Sequence, residues 1–87
     1  MNRETAVDAG VRRRVEACVI EAIAGFGAAR AHVTPDAPLD ALDTDVLDLL
    51  ELSQIVDAEF GVRIRARDAE SMRTVGDAID LVIARLP

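Results

Sequence analysis

The densest run of potentially reactive side chains is DTDVLDLLELS, residues 43 to 53, which holds four carboxylates (Asp43, Asp45, Asp48, Glu51) and two hydroxyls (Thr44, Ser53). Carboxylates at positions 43, 45 and 48 suggest a calcium loop. Such a loop needs a glycine at its sixth position and a bidentate glutamate at its twelfth, where this chain has Asp48 and Gln54. Zinc is no better served, because His32 and Cys18 are single residues far apart in the chain. A hydrolytic triad would require His32 beside a nucleophile with a third group to orient it, and the sequence offers none; a glycine-rich phosphate loop is also missing. The chain is therefore not read as an enzyme.

Charge and composition narrow the field further. Of the 87 residues, aromatic side chains are only Phe26 and Phe60, too few for base stacking or an aromatic ligand cage. The net charge of −6 is concentrated: residues 36 to 60 hold eight acids and no Arg or Lys, while the flanking stretches each hold five Arg against four acids. A concentrated negative face repels nucleic acid and anionic lipid and steers towards basic protein surfaces, although a plain solvated acidic face has the same composition. One cysteine excludes an intrachain disulfide and suits a reducing compartment. No apolar leader segment or run of 18 apolar residues is present, so the expectation is a cytoplasmic protein with no membrane contact.

These residues must be positioned by short amphipathic elements. Val11, Val15, Cys18, Val19, Ala22 and Ile23 recur at helical spacing and predict a first helix over 5–24, with Thr5 and Asp8 as a capping pair and GFG (25–27) as its end. Pro35 and Pro38 make 28–44 a long loop, pinned by Val33, Leu39 and Leu42. Leu49, Leu52, Val56 and Phe60 predict a second helix over 46–60, capped by Asp45, with Asp48 favourable at its positive end and Gly61 closing it. VRIRA (62–66) alternates like a short strand, and RDAESM (67–72) suits one or two helical turns. Thr74 then caps a final helix whose buried stripe is Val75, Ile79, Val82, Ile83 and Leu86. The fold class is all-α: a small bundle of three main helices and one short helix with a long first loop, residues 1–87 forming a single domain.

At this level the stretch VTPDAPLDALDTDVLDLLELSQIVDAEFGVRI, followed by TVGDAIDLV, resembles an acyl carrier protein of the fatty-acid or polyketide type, over Val11 to Leu86. That family opens its second helix with L-x-x-L-G-x-D-S-L-D-x-x-E-L. The matching residues here are Leu39, Leu42, Asp43, Asp45, Val46, Leu47, Asp48, Glu51 and Leu52. Asp43 stands in the glycine's place, and Val46 in the serine's. In the family that serine is esterified with phosphopantetheine, whose thiol carries the acyl group. Valine has no nucleophilic oxygen, so the resemblance implies no cofactor as written, phosphopantetheine being expected only with serine at 46. Thr44 and Ser53 are the nearest substitutes, but either would shift the register that a transferase reads. Cys18 lies on an apolar stripe and is read as a core residue.

Positions 46, 47 and 50 fall off the 49, 52, 56, 60 stripe, so Val46, Leu47 and Leu50 form an apolar patch ringed by Asp45, Asp48 and Glu51. The resemblance implies that this helix docks onto basic patches of pathway enzymes such as ketosynthases or acyltransferases, the chain being a monomer or part of a hetero-complex. Three readings follow: a carrier that cannot be loaded, whether natural or changed by design at position 46; a non-carrier interaction or regulatory protein that binds and modulates a synthase partner; or an unrelated small acidic helical protein.

Overall fold

The computed structural model describes residues 2–87, and side chains from Ala9 onward. Among the described residues four α-helices follow one another: α1 (Asn2–Gly25), α2 (Val46–Phe60), α3 (Ala66–Ser71) and α4 (Val75–Ala84). Two short 3-10 turns, Arg30–His32 and Asp40–Leu42, interrupt the loop between α1 and α2. The long α1 packs on both α2 and α4. The core holds most of the faces that the periodicities marked: Val15, Val19 and Ile23 of α1, Leu52 and Val56 of α2, and Val75, Ile79 and Val82 of α4 are buried, with Ala78 added to the last and Ile83 only half-buried. Val33 and Leu39 are buried and Leu42 is half-buried, so the loop is pinned as its hydrophobic spacing requires.

Backbone bonds explain why a 20-residue connection between α1 and α2 holds its shape. Leu39 N–H donates to Arg73 O at 2.8 Å, Val75 N–H to Ala37 O at 3.0 Å and Gly76 N–H to Pro35 O at 2.6 Å. These three bonds stitch the loop to the N-terminus of α4. Gly76 is required by the closeness of that contact, because a Cβ there would lie 2.8 Å from the Pro35 carbonyl oxygen.

Several expectations are corrected by the fold. VRIRA forms no strand: residues 61–65 lack regular structure, with Val62 buried and Ile64 half-buried while Arg63 and Arg65 face outwards. A two-residue periodicity thus recorded one-sided burial without a partner strand. Helix α4 stops at Ala84 and not near Leu86; Arg85 is its C-cap, with its side chain on Asp68, and Leu86, which precedes Pro87, is half-buried beyond it. Leu49 and Phe60, assigned to the buried stripe of α2, are half-buried, as are Val11, Cys18 and Ala22 of α1. Each lies towards the edge of its apolar face. Helix α1 begins before Thr5, and the side chains of the Thr5–Asp8 capping pair lie outside the described residues.

Candidate functional site

The start of α2 is built by two aspartates. Asp48 N–H donates to Asp45 Oδ1 at 2.9 Å, and Asp45 N–H donates to Asp48 Oδ2 at 3.2 Å. This reciprocal capping box satisfies two of the backbone donors that a helix start leaves unpaired. Asp45 is the cap that the sequence predicts; the return bond to Asp48 adds to the dipole effect expected of that residue, and the three-residue spacing is its signal. At the other end, Gly61 takes φ 70, where a side chain would be strained, and its N–H donates to Asp57 O at 2.9 Å.

Val46 is therefore the first helical residue, after the cap. Its side chain is 79% exposed, Leu47 is 72% and Leu50 is 55%. Asp45, Leu47, Leu50 and Glu51 are exposed, and Asp48 is half-buried by its capping role. Val46 and Leu50 also border an apolar cleft of about 490 Å³ between α2 and the 64–70 segment, whose walls include Leu49, Ile64, Ala66 and Ala69. Leu47 is not part of that cleft. All three residues of the expected patch are thus exposed, with Val46 and Leu50 at the cleft edge and Leu47 beside it. Ile64, Ala66 and Ala69 were missed because they belong to a different element, and periodicity within α2 carries no information about what lies across from it.

Neither nearby hydroxyl is presented to solvent as a free group. Thr44 Oγ1 is buried without a hydrogen-bond partner among the described residues. Ser53 Oγ donates to Leu50 O at 2.6 Å, a bond that turns the hydroxyl onto its own helix. Just upstream, Asp43 adopts the left-handed conformation (φ 57, ψ 32) as the last 3-10 turn gives way to α2. Cys18 is half-buried on α1, and burial first, then the carboxylates of Glu59 and Glu21, push its thiol pKa up, away from reactive thiolate.

Residues 18–82, from the second half of α1 to the last turn of α4, match the family described as a phosphopantetheine attachment site. The chain belongs to the acyl carrier protein family. An acyl carrier protein of Solidesulfovibrio magneticus is 37% identical over 73 residues, which cover 83% of this chain and 90% of that protein. Acyl carrier proteins are carriers and not enzymes, they interact with biosynthetic enzymes, and phosphopantetheine is the prosthetic group their family implies. No helix of the described residues is long and apolar enough to cross a membrane.

Proposed function

We propose that this chain is an acyl-carrier-type docking protein of a fatty-acid or polyketide type pathway that cannot be loaded with phosphopantetheine as written. The observation that carries it is Val46: an exposed side chain without an oxygen at the first position of α2, where the family's motif has its serine. The neighbouring residues do not fit the group either, since Thr44 Oγ1 is buried and Ser53 Oγ is bonded to a backbone carbonyl. What is left of the carrier surface is its protein-facing part. Leu47 and Leu50 stand exposed beside Asp45 and Glu51, an arrangement suited to basic patches on enzymes such as ketosynthases or acyltransferases. The chain works on this reading in the cytoplasm, as a monomer or within a hetero-complex, with no part in nucleic-acid binding.

A second reading, a regulatory protein that binds a synthase partner without ever having carried an acyl group, is favoured by the exposed apolar residues at the place of attachment. One experiment addresses both. With coenzyme A and a broad-specificity phosphopantetheinyl transferase, the chain should keep its unmodified mass, whereas Val46→Ser should gain one phosphopantetheine. The substitution should change stability by no more than about 0.5 kcal/mol, because the position is exposed and Asp45 supplies the cap. Modification of the unsubstituted chain overturns the proposal. A folded Val46→Ser variant that stays unloaded favours the regulatory protein.

A further inference from the structure

The opposite side of α3 carries a feature that the carrier reading does not use. Arg63, Arg65, Arg67 and Arg85 line a polar recess of about 430 Å³ together with Asp68. Asp68 is 7% exposed, and both its carboxylate oxygens are taken: Arg85 Nη1 donates to Oδ2 at 2.6 Å, Arg85 Nη2 to Oδ1 at 2.7 Å, and Arg65 N–H to Oδ2 at 2.8 Å. The one acid of the recess is thus neutralised by Arg85 and holds it in place. Arg63, Arg65 and Arg67 have no ion pair among the described residues, and neither have Arg13, Arg14 and Arg73; what sets the first three apart is that they line one recess. Three arginines outside any ion pair thus line one recess, a local excess of positive charge in a chain that as a whole carries −6. Fold stability alone gives no reason for that concentration.

We infer that this recess is a binding site for a small ligand carrying two or more phosphate groups. The guanidinium fork matches a phosphate in paired hydrogen bonds. A single phosphate carries about 1.5 to 2 negative charges at neutral pH and leaves part of the trio uncompensated, whereas two linked phosphates carry about three in total and match it. The recess is half-open, and its volume of about 430 Å³ lies in the range of small-ligand sites. No aromatic side chain lines it, so recognition rests on the phosphates and not on a stacked base. The site stands independently of the carrier reading.

The test is a titration of the intact chain with inorganic diphosphate, followed by the amide and arginine side-chain NMR signals, with phosphate, citrate and hexaglutamate as competitors of known charge. Diphosphate should saturate the signals of Arg63, Arg65 and Arg67, with phosphate about tenfold weaker because it forms fewer charge-assisted bonds. Arg65→Gln should weaken diphosphate by about tenfold, the scale of one lost charge-assisted contact. Arg73→Gln, which removes the same charge outside the recess, should leave affinity within about twofold. Lack of saturation overturns the site. Equal affinity for citrate or hexaglutamate overturns the phosphate assignment in favour of a carboxylate or an acidic partner segment. An equal loss in Arg73→Gln reduces the effect to overall charge.

Discussion

Asp43 holds a backbone conformation, φ 57 and ψ 32, that most side chains avoid, in the position where the family's motif has glycine. Left-handed backbone costs an ordinary residue on the order of 1–3 kcal/mol, and aspartate is among the side chains that tolerate it best. Glycine would remove the steric cost but loses roughly 0.5–1 kcal/mol of unfolded-chain entropy. The two effects nearly offset. Asp43→Gly should therefore be neutral or stabilising by less than about 1 kcal/mol, whereas Asp43→Val should cost about 1–3 kcal/mol because a β-branched side chain is the worst fit to this region. Urea denaturation of the three proteins checks this; equal stability of the aspartate and valine forms would mean that the turn relaxes to negative φ in solution. Val46 has the opposite character. It is exposed at a position whose cap is supplied by its neighbour, so the fold neither demands nor resists it. The residue on which the proposed function rests is thus nearly silent for folding.

At the scale of the element, α2 presents two faces that mutations can separate. Leu52 is fully buried in the core, and Leu50 is 55% exposed at the cleft edge. Leu52→Ala should cost about 2–5 kcal/mol, the range for a truncated core leucine, and Leu50→Ala no more than about 1 kcal/mol. If a basic pathway partner docks on this helix, Leu50→Ala should speed its dissociation, while Glu51→Arg should slow association and be mimicked by salt, which screens rim charges beyond about 8 Å. Glu51 is a cleaner probe than Asp48, because replacing Asp48 also breaks the capping box. Unfolding by Leu50→Ala but not by Leu52→Ala would reverse the faces and remove the docking proposal. The two ends of α2 were legible because each is set by local chemistry, Asp45 before it and Gly61 after it. The Arg85–Asp68 pair just past α4 was not, since its two residues lie 17 positions apart. The cleft was illegible for the same reason: Ile64, Ala66 and Ala69 reach Leu49 only through the tertiary fold.

The whole molecule is closed at its C-terminus by that long-range pair, whose pH dependence follows from the direction of the shift. Paired hydrogen bonds from Arg85, and then the backbone N–H of Arg65, hold the Asp68 carboxyl down at about 2. Asp77, bonded by the N–H groups of Arg73 and Thr74, is lowered in the same direction. In the unfolded chain an aspartate titrates near about 3.9, so the folded form binds its proton less readily. The contribution of Asp68 is therefore fully present above about pH 4 and is lost as pH falls through about 2. Absolute stability is a poor readout, because protonating other acids of this −6 chain also relieves their mutual repulsion. The difference between two proteins isolates the pair. Asp68→Asn should lower the melting temperature at pH 7, and the gap to the unsubstituted chain should narrow steadily from pH 4 towards pH 2, where the native carboxyl becomes neutral as well. Arg85→Gln should show the same narrowing, because it removes the other half of the interaction. A gap that stays constant across this range would show that Asp68 acts by packing alone, and that Arg85 is not held by its charge.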